Sequence, residues 1–196
     1  ARQIQGSAYN SGNWSGAAYT FDDSGAWSHC VITGSFRNGW DLMFSLTDSY
    51  QVGVFLSNRE RPVFGGQDKF EIKTKVDRFG SMYGNAVPIN DYTAGIWFDD
   101  LEKALYQFKK GRVLSVSSRL VEEEFGLSGT FKALDATYNC ASRCQNYQDA
   151  NSNNNGTNSG SDIAVWEPEA SDTAAMYQLA TLLITDFELQ DFRFVA

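Results

Sequence analysis

The chain has 196 residues, 42% of them hydrophobic and 20% charged, ordinary values for a globular protein with a sizeable core, and they exclude wholesale disorder. A formal net charge of -8 argues against nucleic acid and against an anionic membrane surface, because affinity for either rests on a basic face. No stretch reaches the roughly 18 consecutive apolar residues that a membrane-spanning helix needs, so no membrane span is expected.

The aromatic share of 14% points toward strands, where aromatic and β-branched side chains fit a pleated, half-buried surface. From Gly16 to Ser57 short alternating or apolar runs are separated by turn residues, the pattern of an antiparallel meander. Strands are expected at 17–21, 28–36, 41–47 and 51–57, joined by Asp22-Asp23-Ser24-Gly25, Arg37-Asn38-Gly39 and Asp48-Ser49. In the second of these strands a strict period of two puts Cys30, Ile32 and Phe36 on one face and Trp27, His29, Val31 and Thr33 on the other. Both faces are partly apolar, so that strand is expected to be covered on both sides.

After a Pro/Gly-containing connection at 62–66, residues 69–76 alternate charged with apolar or small side chains, as a half-exposed strand does. Residues 83–89 and 93–98 read as further strands. Asp99-Asp100 then opens a helix with Leu101, Ala104, Leu105 and Phe108 on one face and Gly111 as its stop. Acids at its start and Lys109-Lys110 at its end suit the helix dipole. Strands are expected at 112–120 and 123–127. A second helix follows, capped by Ser128 or Thr130, with Phe131, Leu134 and Tyr138 sharing a face.

This organisation gives a β-rich domain over residues 1–144, a flexible Asn/Ser/Gly-rich loop over 145–162, and a β-α-β tail over 163–196. The tail comprises strands at 163–166 and 192–195 around a helix capped by Ser171, and it is too small to bury its own apolar faces. It is expected to pack on the main domain or on a partner. The fold class expected is mainly β, a sandwich or barrel-like antiparallel arrangement, with two or three peripheral helices.

The sequence starts Ala1-Arg2-Gln3 without an initiator Met, as a mature chain does after signal-peptide removal behind a small residue, or as a chain cut at some other boundary does. Export is the expectation. Cys30, Cys140 and Cys144 allow one disulfide and one leftover thiol, and spacing alone does not say which two pair.

Taken together, Trp14-Ser15-Gly16-Ala17-Ala18-Tyr19-Thr20, Asp23-Ser24-Gly25-Ala26-Trp27-Ser28-His29-Cys30, then Gly39, Leu42 and Phe44 form a recognisable series. Val76-Asp77, Leu127-Ser128-Gly129-Thr130, Ala133-Leu134 and Cys140 continue it. The series resembles a poorly characterised domain of alphaproteobacterial periplasmic or envelope proteins. That domain sometimes precedes a trypsin-like or caspase-like protease, and it is distantly similar to the invasion-associated locus B proteins. The resemblance covers residues 14–140. It implies a periplasmic or secreted setting and a bridge between Cys30 and Cys140, and it implies no catalytic residues. Trp27 stands where the group would have Phe, and Cys144 is an additional thiol.

Candidate chemistry is sparse. A serine hydrolase needs a histidine base, and the sole histidine, His29, lies within a predicted strand beside Ser28. Neighbouring strand residues point to opposite faces, so these two are not expected to meet, and a packed histidine is the simpler reading. One His with Cys140-x-x-x-Cys144 falls short of a zinc set, so no metal and no cofactor are expected. Asp22-Asp23, Asp99-Asp100 and Glu122-Glu123-Glu124 read as a turn, a helix start and a strand entry rather than as catalytic carboxylates. The loop 149–162 has Asn154 and Gly160 where a calcium loop has Gly and Glu.

Five tryptophans, Trp14, Trp27, Trp40, Trp97 and Trp166, are the remaining resource. Trp14 and Trp40, near strand ends, are the two expected to be exposed, and with Tyr19 they are the candidate ligand-binding residues. The function expected is that of an exported, non-enzymatic binding or structural envelope protein acting through contacts with another envelope or secreted protein. A carbohydrate-binding module is the alternative, which requires exposed coplanar tryptophans. A hydrolase or protease-associated domain is the other, which requires His29 in a cleft beside a nucleophile or carboxylate.

Overall fold

The computed structural model describes residues 1–21 and 24–147. All but the first three residues of the expected loop 145–162, the whole β-α-β tail with its helix and Trp166, and the Asp22-Asp23 turn lie outside the described residues.

The strands are β1 (Arg2–Gln3), β2 (Tyr9–Ser11), β3 (Trp14–Thr20), β4 (Trp27–Ser35), β5 (Trp40–Thr47), β6 (Val52–Asn58), β7 (Phe70–Val76), β8 (Met82–Pro88), β9 (Thr93–Phe98), β10 (Val113–Ser117) and β11 (Glu122–Gly126). Two helices, α1 (Leu101–Lys110) and α2 (Thr130–Cys144), complete the described part. The strands form one antiparallel sheet in the order β1-β3-β4-β5-β6-β9-β8-β7-β10-β11, with β2 paired to β3. A first meander, β3 to β6, is thus followed by a second, β7 to β9, laid down in reverse so that β9 meets β6, and the β10–β11 hairpin extends it at β7.

The two ends of this sheet are not paired with each other, yet the sheet curls strongly. Phe125 of β11 meets Phe36, just after β4, edge-on with ring centroids 5.1 Å apart. Glu123 beside it accepts hydrogen bonds from Trp40 Nε1 at 3.1 Å and from Asn38 Nδ2 at 2.8 Å. A strand near one edge therefore touches the hairpin turn of a strand near the other. The fold is barrel-like without closure.

One face of every long strand looks inward. β7 shows this most simply, with Phe70, Ile72, Thr74 and Val76 buried and Glu71, Lys73 and Lys75 exposed, as its alternating sequence predicts. The inward residues join Ala104 and Phe108 of α1 and Ala133 and Leu134 of α2 in one core, where Phe108 lies between Phe44 and Phe98. A smaller cluster of Ile4, Ala18, Trp27, Leu46 and Ala141 surrounds the Cys30–Cys140 disulfide. The connection between β6 and β7 closes one end, because Phe64 is buried there against Trp40 and Phe70.

Helix α1 follows the sequence reading closely. The Asp100 carboxylate caps it by accepting from the Lys103 amide at 2.9 Å, and the Gly111 amide closes it on the Gln107 carbonyl at 2.8 Å. A Cβ at Gly111 would collide with Val76, so the glycine is also a close-approach position.

Helix α2 departs from that reading in two ways. Its N-cap is Gly129, at φ 82°, and neither Ser128 nor Thr130 caps it, because Thr130 points inward and is buried. Its buried face is Thr130, Ala133, Leu134, Thr137, Cys140 and Ala141; of the expected Phe131–Leu134–Tyr138 face Leu134 is buried and Tyr138 is half-buried against the smaller cluster, and Phe131 is not part of it. Phe131 is exposed instead, with the Lys109 ammonium 6.0 Å from its ring. Small residues on the inner face let the helix lie close to the sheet.

Strand β4 breaks the period-two expectation as well. Tyr19 pairs with His29 and the next residue, Thr20, pairs with Trp27, so β4 has one extra residue at Ser28. This bulge rotates Trp27 onto the same side as Cys30, where it is buried, instead of leaving it with His29, Val31 and Thr33. Those three outward residues are half-buried, so the outer face of β4 is only partly covered.

Candidate functional site

Trp14 and Trp40, two of the three residues singled out for ligand binding, are interior. Trp14 is 2% exposed; its Nε1 donates to the Ser128 carbonyl at 3.1 Å, and its ring covers Gly129 at the start of α2. Trp40 is 1% exposed, its indole N–H held by Glu123. The expectation that position near a strand end exposes them is corrected: the curl of the sheet and the docking of α2 cover both ends. An indole enclosed on all sides offers no face for a ligand.

Tyr19, the third, is half-buried on the outer face and stacks on His29, ring centroids 5.2 Å apart and planes 12° from parallel. With Gln3, Ser15, Ala17, Val31 and Thr33 it borders a shallow, open depression of about 230 Å³. His29 does contact Ser28, with Oγ 2.9 Å from Nδ1, contrary to the opposite-faces expectation, because the bulge at Ser28 removes strict alternation. Burial, joined by the positive charge of the N-terminal amine, lowers the imidazole pKa. Among the described residues no carboxylate touches His29, so nothing there orients it as the acid of a catalytic triad does.

The exposed aromatic surface is elsewhere, on the outer face of β6, β9 and β8. Trp97 of β9 is 58% exposed and Tyr83 of β8 is 59% exposed. Trp97 and Asn85 are cross-strand partners, and Tyr83 lies two residues from Asn85, hence on the same face. The Trp97 ring lies over Gly95, where an added Cβ would stand 2.5 Å from its Cζ3. Phe55 of β6, the partner of Gly95 across the strands, reaches within 3.4 Å of that same point and itself lies over Gly53. Two glycines therefore let two aromatic rings settle on the sheet side by side, with an outer surface of Trp97 open to solvent. Lys73 and Lys75 of β7 border this face, Lys73 directly across from Tyr83. At the adjoining turn Ile89 and Tyr92 are exposed as well.

Sequence reasoning gave Trp97 no particular weight. The signal was present: in Thr93-Ala94-Gly95-Ile96-Trp97 the buried Ala94 and Ile96 alternate with Gly95 and Trp97, which leaves the tryptophan facing out above a residue without a side chain.

A scan against protein-family models finds none that matches, and a search of curated proteins finds none either. The chain is similar to the crystal structure of invasion associated protein B from Bartonella henselae, at 14% identity and a TM-score of 0.46, over 66% of this chain and 94% of that one.

The third feature is the cysteine group. Cys30 of β4 and Cys140 of α2 are bonded, with Sγ atoms 2.04 Å apart, across a sequence separation of 110. Cys144 is a half-buried free thiol whose pKa burial pushes up, partly offset by Arg143. The three sulfurs lie within 4.8 Å of one another. The pairing that the family resemblance implies is the one formed.

Proposed function

We propose that the chain is an exported, non-enzymatic binding protein of the envelope or secreted compartment, which recognises another protein through the outer face of β6, β9 and β8. The observation that carries this reading is the pair of strongly exposed aromatic side chains, Trp97 and Tyr83, on one sheet face beside Phe55. Large exposed aromatics grouped on one face mark interaction surfaces, and Trp and Tyr are the residues that dominate binding energy at protein interfaces. Export is supported by the buried disulfide, which persists in oxidising compartments. Among the described residues no helix is long and apolar enough to cross a membrane. The non-enzymatic reading is supported by the surroundings of the sole imidazole, which touches Ser28 and Tyr19 and no carboxylate.

The test is affinity capture from the native envelope with the wild-type chain and with Trp97→Ser/Tyr83→Ser. The double variant is expected to keep its unfolding midpoint and to lose a defined set of partners at least tenfold. Equal capture of the same proteins by both chains overturns the reading.

A second reading, a carbohydrate-binding surface, is favoured by the ring of Trp97 backed by Gly95, since a flat ring with one open side suits stacking against a sugar. It requires that a soluble polysaccharide change the intrinsic fluorescence of the wild-type chain and not of Trp97→Ser.

A further inference from the structure

Cys30, Cys140 and Cys144 hold their sulfurs within 4.8 Å of one another, although only the first two are bonded. Cys144 stands one helical turn beyond Cys140, on the same side of α2, and packs against the small core that contains the bridge. A thiol that near both sulfurs of a disulfide is within reach of displacement by side-chain rotation, with the sheet and most of the helix left in place.

We propose that the three cysteines form an exchangeable set, in which Cys144 displaces Cys140 from Cys30 and gives a second folded isomer bridged Cys30–Cys144. The Cys144 thiol gives its proton to solvent, and its thiolate attacks Cys30 Sγ. The Cys30–Cys140 bond breaks, its electron pair leaves on Cys140, and the Cys140 thiolate takes a proton from solvent. One disulfide and one thiol are present before and after, so no oxidant or reductant is consumed. Attack on Cys140 would instead place a bridge within α2 and cut its tie to β4. Attack on Cys30 keeps the helix tethered to the sheet, and the attachment point moves along α2 by about 6 Å, one turn.

The exchange acts on the junction where α2 ends. Trp27, which packs beside the bridge, donates its amide to the Tyr147 carbonyl at 3.1 Å, so the chain leaving α2 is fastened to the same strand as the disulfide. Moving the tether by one turn acts directly on that hydrogen bond between Trp27 and Tyr147. The set is thereby an internal two-position clasp.

The groups facing Cys144 are Arg143 from its own helix, whose charge favours the thiolate, and Tyr9 from β2, which is neutral up to high pH because burial pushes it up to about 12. The thiolate fraction, and with it the exchange rate, therefore rises about tenfold per pH unit until the thiol itself titrates.

The experiment incubates the intact, undenatured chain at pH 6 and at pH 9, quenches with acid, alkylates free thiols at low pH, and maps linked peptides by mass spectrometry. The expected result is a Cys30–Cys144 linkage with alkylated Cys140, appearing at pH 9 at least a hundredfold faster than at pH 6. Hydrogen exchange of the β4 and β5 amides, followed in parallel, is expected to be slower than the appearance of that linkage. A Cys30–Cys140 linkage alone at every time point overturns the proposal, and so does exchange no faster than the β4–β5 amides, which would be rearrangement through unfolding. As a second check, Cys140→Ser incubated with excess oxidised glutathione, which takes up the two electrons as reduced glutathione, is expected to form the Cys30–Cys144 bridge quantitatively, and a folded Cys140→Ser chain that does not form this bridge under the same treatment overturns the proposal.

Discussion

Two tryptophans in this fold lie over glycines and meet opposite fates. Trp14 of β3 lies over Gly34, its cross-strand partner on β4, and is enclosed by the start of α2. Trp97 of β9 lies over Gly95, two residues back on its own strand, and faces solvent. In both cases a missing side chain makes room for a flat ring on a pleated surface. The difference is the side of the sheet. On the inner side the turn into α2 brings the Ser128 carbonyl to the indole N–H, the small residues of α2 let it approach, and the ring becomes part of the core. On the outer side nothing among the described residues covers the ring, and the same packing leaves a surface that a partner can use. An aromatic–glycine pair is thus neutral as to purpose, and burial decides whether it supports stability or recognition.

The covered side should yield most when its fastening is cut. The disulfide ties β4 to α2 across 110 residues of sequence, and a cross-link closing a loop of that length stabilises by about 5 kcal/mol through the entropy it removes from the unfolded chain. Cys30→Ala, which leaves no bridge between sheet and helix, is expected to lower the unfolding free energy by about that amount in urea titration. The loss should be sensed first on the α2 side, as faster amide exchange in β4 and α2 than in β8 and β9. Uniform loss of protection across the sheet would mean that the two sides do not differ in how they are held.

Adding one methyl group to each glycine sharpens the comparison. At Gly34 a Cβ would meet the Trp14 ring at 3.0 Å, and that ring is pinned by its hydrogen bond to Ser128 and by α2. Gly34→Ala is expected to cost about 1–3 kcal/mol, the range for overpacking a core. At Gly95 the Cβ would meet Trp97 more closely, at 2.5 Å, but the obstructing atom is the far end of a side chain with solvent to move into. Gly95→Ala is expected to change stability by less than about 1 kcal/mol and to lift the ring off the sheet. It should therefore impair partner capture as Trp97→Ser does, while calorimetry finds the fold intact. The tighter of the two clashes is the cheaper one, and equal costs would refute the distinction between the two sides.

The sequence made the strands legible because their signal is local. The alternation in β7 and the capped, amphipathic α1 are read from a few neighbouring residues. Strands β1 and β2, of two and three residues, were too short to show a period. What failed was whatever depended on distant parts of the chain. The bulge at Ser28 is a property of the β3–β4 pairing, and it alone sends Trp27 inward. Trp14 and Trp40 are buried by contacts with Ser128 and Glu123, more than eighty residues away in each case. Trp97 was overlooked for the converse reason. An alternation that placed it outside was visible, but tryptophan is so often buried that exposure needed the sheet to confirm it.

The smallest effect separating the two sides belongs to His29, which sits at the margin between them, outward-facing yet half-buried against Tyr19. Burial and the N-terminal charge hold its pKa below the 6.5 of a free imidazole, so the folded chain takes up its proton at lower pH than the unfolded chain does. Between those two values the unfolded state binds more protons, and stability falls as pH falls. The contribution is fully present above about pH 6.5 and is lost on acidification through the lowered value. His29→Gln, which keeps a polar group for Ser28, is expected to show a shallower decline in unfolding midpoint between pH 7.5 and pH 5 than the wild type. Identical slopes would show that this ring is as free to charge as one in water, and that the outer face at β4 is as open as the face that carries Trp97.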